Sequence, residues 1–264
     1  MNILDTIVAY KKKEVEQRKA LCAISKLEQS GFFTKPVFSL KASLLDQSLT
    51  GIIAEFKRKS PSKGIINANA DVSEITKAYK ENGASGISVL TDSNFFGGSF
   101  EDFEKARANS IPLLEKDFIV DEYQIIEAKS KGADLILLIA ACLTPAETKR
   151  FASLARKLGL EVLLELHSPN ELDHICEEVE LIGINNRNLK TFEVDIEQSL
   201  RMAEKIPSNK LKIAESGISK VENIQLFKKN GFSGFLIGEN FMKEKDPAEA
   251  FKKFVSELKE SISI

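Results

Sequence analysis

The sequence predicts an α/β chain closed into a (β/α)8 TIM barrel, with an extra helical segment at the N-terminus. Three observations carry that reading. Short apolar runs recur eight times, longer stretches with helical periodicity separate them, and a glycine closes most of those stretches just before the next run. Strand then helix, repeated, makes parallel βα units. Eight such units within residues 51–264 match a closed barrel, which typically needs ~250 residues with insertions. An open doubly wound sheet is the alternative, and it usually carries fewer strands.

Residues 1–50 lie outside the repeat. "MNILDTIVAYKKKEVEQRKA" reads as a helix whose charge run, "KKKEVEQRK", predicts a solvated face, and a shorter segment follows around 36–48. The first four runs are "GIIAEFK" (51–57), "GISVLT" (86–91), "PLLEKD" (112–117) and "DLILLIA" (134–140). The second four are "EVLLELH" (161–167), "LIGINN" (181–186), "LKIAES" (211–216) and "GFLIG" (234–238). Between them lie helical candidates such as "DVSEITKAYKEN", "DEYQIIEAKSK", "TPAETKRFASLARKL" and "SKVENIQLFKKN", with "PAEAFKKFVSELKES" as the last. Several open on a Ser, Thr or Asp cap, and two carry Pro near the first turn. Gly83, Gly132, Gly159 and Gly231 read as left-handed C-caps. No Pro/Gly/Ser-rich linker interrupts the chain, so one domain over 1–264 is expected.

Bulk properties remove several function classes. With 43% hydrophobic and 29% charged residues, the 264-residue chain has the composition of a soluble globular protein. The net charge of −2, with no basic run interleaved with aromatics, argues against nucleic acid or an anionic membrane as partner. The longest apolar run, "LILLIAACL", is too short to span a bilayer, and the N-terminus lacks a signal-peptide core. Cys22, Cys142 and Cys176 are odd in number and lack metal-site spacing, as in a reducing compartment. A cytoplasmic protein, monomeric or a weak homodimer, is expected.

In a barrel of this kind the active site assembles at the C-terminal ends of the strands. There the sequence places Glu55 and Lys57, Lys116, Glu165, Asn185 and Arg187, Glu215 and Ser216, and Gly238. Strand periodicity puts Leu114 with Lys116, Leu163 with Glu165 and His167, and Ile213 with Glu215 on shared faces. Any one of these charges could merely fill a polar top layer, but the opposite strand ends show no such accumulation. Balanced acids and amines in a dry pocket suit proton transfer. Neighbouring cations keep a Glu ionised as a base, and desolvation is expected to bring a Lys pKa down. His167 and His174 lack a ligand pattern, so neither a metal nor a cofactor is expected; His167 either touches the site from the face it shares with Glu165 or, the favoured reading, is an outer-layer or structural residue.

"AESGI" and "LIGEN" supply small residues where barrels bind phosphate, "ENFM" is short enough to be the accompanying helix, and "SPSKG" reads as a flexible loop able to close over a ligand. In "LTDSNFFGGSF", Phe95 and Phe96 either plug the helix layer or form a wall for a flat apolar group. Residue chemistry alone therefore reaches a cofactor-free acid–base enzyme acting on a phosphorylated small molecule, and does not name the reaction.

The ordered set "AEFKRKSPSKG", "SVLTD", "FFGGSF", "LLEKDFIVDEYQI", "LLELHSP", "IGINNRNL", "AESGI" and "LIGENFM" resembles the indole-3-glycerol-phosphate synthase family of tryptophan biosynthesis, including its extra N-terminal helical segment. The resemblance implies a carboxy-lyase that turns 1-(2-carboxyphenylamino)-1-deoxyribulose 5-phosphate into indole-3-glycerol phosphate, CO2 and water. It implies Lys116 as general acid and Glu165 as general base. Lys57 would hold the substrate carboxylate or phosphate and supply the proton for dehydration, with Glu55 orienting the lysines. Asn185 and Arg187 would position the ribulose chain and carboxylate, with Glu215 in the polar network. Ser60, Gly217, Gly238 and Glu239 fall on phosphate-binding positions, beside Ser216, while Pro61, Phe96, Phe118 and Leu189 match the aromatic pocket. Glu239 stands where some members have Ser, so its backbone N–H would meet the phosphate; Asn188 occupies a site that is often Asp. The alternatives are a Schiff-base aldolase using Lys116 or Lys57, or a non-catalytic phosphate-binding barrel. The neighbouring phosphoribosylanthranilate isomerase is disfavoured, because the Cys expected at the end of the first strand is absent.

Overall fold

All eight apolar runs become strands of one closed parallel barrel. The computed structural model describes residues 3–188 and 193–262. The strands begin with β1 (Ile52–Phe56), followed by a two-stranded excursion, β2 (Lys59–Ser60) and β3 (Gly64–Ile65). The barrel continues with β4 (Gly86–Leu90), β5 (Leu113–Lys116), β6 (Leu135–Ile139), β7 (Glu161–Leu166), β8 (Leu181–Asn185), β9 (Leu211–Glu215) and β10 (Phe232–Ile237). Each barrel strand pairs in parallel with the next, and β10 closes on β1. Such closure leaves no edge exposed.

The helices are α1 (Ile3–Leu21), α2 (Ile24–Leu27), α3 (Leu40–Leu45), α4 (Val72–Glu81), α5 (Ser93–Phe96) and α6 (Phe100–Ala106). They continue as α7 (Glu122–Ser130), α8 (Pro145–Lys157), α9 (Ile196–Ala203), α10 (Val221–Lys229), α11 (Glu239–Met242) and α12 (Pro247–Ile262). Predicted caps form as expected: Asp71 and Thr144 accept from N3 amides, and Pro145 occupies the first turn of α8. The four capping glycines have φ between 75° and 89°.

Alternation along each strand divides the apolar residues between two layers. Ile52, Ala54 and Phe56 pack outward against the helices, while Ile53 packs inward with Leu114, Leu137, Leu163 and Ile213. Glu55, Lys116, Glu165 and Glu215 each follow an inward residue by two positions, and so sit at the top of the barrel interior. The floor is closed by α3, whose Leu40 and Leu44 enter the interior cluster. Glu161, at the start of β7, anchors that helix by accepting from the amides of Leu40 (2.8 Å) and Lys41 (3.1 Å).

Two expectations are corrected. The charge run on α1 is not wholly solvated: Lys11 is fully buried, 2.9 Å from Asp117, 3.0 Å from Asp92 and 3.0 Å from Glu14. Ile7, Lys11 and Val15 are spaced four apart, so they form one stripe that faces the barrel, while Lys12 and Lys13 point to solvent. The segment read as a flexible loop carries an antiparallel ladder, Lys59 with Ile65 and Ser60 with Gly64. Arg58 anchors its base through Asp102 and the Ala70 carbonyl.

Candidate active site

Every residue expected at the site lines one cavity at the C-terminal end of the barrel, apart from Leu189, which lies outside the described residues. Ladder register sets the level: Glu165 pairs with Ile139, Lys116 with Leu90, and Asn185 with Glu215. Lys116 Nζ lies 3.0 Å from Glu165 Oε2 and 3.4 Å from Glu215 Oε2. Asn185 Nδ2 donates to Glu165 Oε1 at 2.9 Å. Lys57 Nζ donates to Glu55 Oε1 at 2.6 Å, so the two charges two residues apart form one pair.

Two glycines give the carboxylates their space. A Cβ on Gly183 would fall 2.0 Å from Glu215 Oε1, and one on Gly238 would fall 2.6 Å from Glu55 Oε1. Gly238 was expected only at the phosphate end, and Gly183 was not singled out at all. Each is required by a side chain on a neighbouring strand, a signal no local pattern carries.

The buried charges settle each other's protonation. Burial pushes the Lys116 ammonium towards its neutral form, but Glu165, Glu215 and Glu55 outweigh it and raise its pKa above the usual lysine range. The expected downward shift is therefore reversed. Burial opposes ionisation of Glu165 too, yet Lys116, His167 and Asn185 hold its carboxyl well below the usual range. Glu215 goes the other way: burial, reinforced by Glu165 and Glu55, raises it to about 8 against the pull of Lys116. At neutral pH the cavity thus presents an ionised Glu165, a cationic Lys116 and a neutral Glu215. Two carboxylates around one ammonium cannot both ionise cheaply. Glu215 Oε1 is buried without a hydrogen-bond partner among the described residues.

Opposite these charges the cavity is apolar and aromatic. Phe96 and Phe118 lie with ring centroids 5.9 Å apart, whereas Phe95 turns away to pack edge-on against Tyr10 at 5.6 Å. Only one of the two expected wall phenylalanines therefore faces the site. Ile3, Leu4 and Ile7 of α1 complete this side, a contribution the sequence reading missed. At the third side, Ser216 (φ 66°) and Gly217 (φ 70°) are consecutive left-handed residues, pinned where Asn186 Nδ2 donates to the Ser216 carbonyl at 2.7 Å. They face the turn of Gly238 and Glu239 that opens α11. Glu239 lies 3.5 Å from Arg187 and 3.7 Å from Lys63, which ties the β2–β3 excursion to this end. Ser60 is buried at the same mouth, beside Pro61.

His167, expected in an outer or structural layer, stands 2.9 Å from Glu165 Oε1. Burial lowers its affinity for a proton, but contacts with Glu165 and Glu171 raise its pKa to about 9. The shared face of Leu163, Glu165 and His167 already carried that signal.

Comparison with known proteins agrees with this geometry. Residues 4–254 match the family described as indole-3-glycerol phosphate synthase. A relative of that name from Bacteroides thetaiotaomicron is 46% identical over 258 residues, covering 97% of this chain and 99% of its own. Another of that name, from Polaromonas sp. (strain JS666), is 41% identical over 254 residues, covering 94% and 96%. Among solved structures, a tryptophan synthase alpha-subunit from Pyrococcus furiosus superposes with a TM-score of 0.59 at 18% identity, covering 81% of this chain and 98% of its own, and shares the fold alone. The family match over residues 4–254, with 46% identity across nearly the whole of both chains, shows that the chain belongs to the indole-3-glycerol phosphate synthase family.

Proposed function

We propose that this chain closes the indole ring of 1-(2-carboxyphenylamino)-1-deoxyribulose 5-phosphate, releasing CO2 and water and leaving indole-3-glycerol phosphate. The observation that carries the reading is the Lys116–Glu165 pair, 3.0 Å apart, between the Phe96–Phe118 wall and the turns at Ser216–Gly217 and Gly238–Glu239. The anilino ring lies against the phenylalanines, and backbone N–H groups of the two turns, with Ser60, hold the phosphate. Arg187 and Asn185 orient the carboxylate and ribulose chain, and Lys57, held by Glu55, takes the remaining anionic group. Pro61 borders the ring.

As the ring carbon attacks the ketone, negative charge grows on its oxygen and Lys116 delivers a proton there. That transfer removes the cation holding Glu165 Oε2, so Glu165 becomes more basic just as the reaction needs a base. Loss of CO2 restores aromaticity. Lys57 then protonates the departing hydroxyl, and Glu165 removes the proton whose loss completes the indole. The neutral Glu215, with one oxygen unpartnered, donates to a substrate hydroxyl.

A Schiff-base aldolase needs a neutral lysine, and the pairing that holds Lys116 cationic weighs against it. We further read the chain as one domain, monomeric or weakly dimeric and cytoplasmic; its three cysteines are free, and no described helix is long and apolar enough to cross a membrane. The test is incubation with the carboxyphenylamino substrate while following indole fluorescence and CO2. Release of both by the wild-type chain supports the reading, and their absence defeats it.

A further inference from the structure

One buried titratable residue beside the cavity has no part in the chemistry above. His167 follows β7, and its side chain is 8% exposed. Its Nε2 lies 2.9 Å from Glu165 Oε1, and its Nδ1 lies 3.7 Å from Glu171 Oε2. The same Glu171 oxygen accepts the His167 backbone N–H at 2.6 Å, and Gln198 of α9 donates to the His167 carbonyl at 3.2 Å. The residue is therefore fixed at both backbone polar groups, and its ring stands between two carboxylates. It does not line the cavity, so any effect on substrate passes through Glu165.

We propose that His167, anchored by Glu171, is a positioning residue for the catalytic base: it locks Glu165 Oε1 and leaves Oε2 as the atom that meets Lys116 and the substrate. This rests on the reading of Glu165 as base. The geometry divides the carboxylate. Oε1 accepts from Asn185 Nδ2 and lies 2.9 Å from His167 Nε2 in an ion-pair contact without a ring hydrogen bond, while among the described residues Oε2 faces Lys116, whose positive charge is lost in the proton transfer. Among the described residues, the charged and titratable groups around the ring are Glu165 and Glu171 in contact, and Lys116 and Glu215 across the barrel. Cys142, after β6, also senses Glu165 and Glu171; burial first, then those carboxylates, push its thiol up to about 12, so it stays neutral.

The Glu171–His167–Glu165 arrangement has a signature that packing alone lacks. Losing the imidazolium takes a cation from Glu165, so the acid limb of kcat/KM moves to higher pH. The alkaline limb set by the imidazolium, whose pKa is raised to about 9, disappears. Neutralising Glu171 weakens the imidazolium's support, so that limb moves to lower pH.

The experiment compares pH–rate profiles of wild type, His167→Gln, His167→Ala, Glu171→Gln and Glu165→Gln. His167→Ala should lower kcat by up to about a hundredfold, the scale of a misplaced catalytic group, with KM nearly unchanged. His167→Gln, which keeps a neutral donor, should recover most of that loss at neutral pH while lacking the limb near 9 and keeping the one that Glu215 sets near 8. Wild-type limbs in His167→Gln, or an unmoved limb in Glu171→Gln, overturn the proposal. Retained turnover in Glu165→Gln instead overturns the assignment of the base.

Discussion

Lys116 carries a full charge into a site where burial alone would neutralise it, and the carboxylates of Glu165, Glu215 and Glu55 reverse the balance. The same field fixes the roles of its partners, because one ammonium supports one ionised carboxylate closely and leaves the second protonated. Lys116→Ala should lower kcat by at least about 10²–10⁴, the usual contribution of a positioned proton donor, while a bound product analogue still titrates with near wild-type affinity. Turnover near wild type would remove Lys116 from the acid role. Glu215→Gln tests the other half. Because Glu215 holds its proton up to about 8, an amide reproduces its shape, and turnover at pH 7 should stay within about tenfold of wild type. The variant should also be less sensitive to pH between 7 and 9. A collapse at pH 7 comparable to that of Lys116→Ala would mean the ionised form is needed.

At the scale of elements, α1 is held to the barrel by a buried cation. Lys11 reaches Asp92 after β4 and Asp117 after β5, so the helix that supplies Ile3, Leu4 and Ile7 to the cavity is tied to the strand end bearing Lys116. Lys11→Met removes the cation and leaves two carboxylates buried, a change that costs roughly 3–5 kcal/mol when a buried pair loses one partner. Urea unfolding should register it, and Lys11→Met with Asp92→Asn and Asp117→Asn should recover much of the loss; a single variant as stable as wild type would refute the tie. The strands and helices were legible because period-two runs, caps and closing glycines are local features. The mouth was legible for the same reason, since alternation aims Glu55, Lys116, Glu165 and Glu215 inward. What local pattern does not encode is contact between strands. Gly183 is small because of Glu215, Phe95 packs on Tyr10 of α1 and not into the cavity, and Lys11 is buried because its stripe meets Asp92 and Asp117. The phase of Ile7, Lys11 and Val15 was in the sequence, but a count of charges hid it.

For the whole molecule, these shifts combine into a pH dependence of folding. His167 binds its proton up to about 9 when folded and to 6.5 when unfolded, so its contribution is complete below 6.5 and fades as pH rises through 9. Glu215 is raised from 4.5 to about 8, so the folded state holds an extra proton over that interval, and stability falls as pH climbs through it. Glu165 and Glu171 are depressed, so their contributions are present above 4.5 and are lost only as pH falls through their lowered values. Two terms thus weaken the fold on the alkaline side, and two weaken it on the acid side at much lower pH. Stability should peak at mildly acid pH and decline between about pH 4.5 and 9, by a few kcal/mol after allowing for the coupling between Glu165 and Glu215. Urea unfolding at a series of pH values checks this. Glu215→Gln should flatten the lower part of the decline and His167→Gln the upper part, because each removes one titration from the folded state. A curve level from pH 6.5 to 9 in the wild-type chain would mean that neither group holds its proton as the barrel mouth requires.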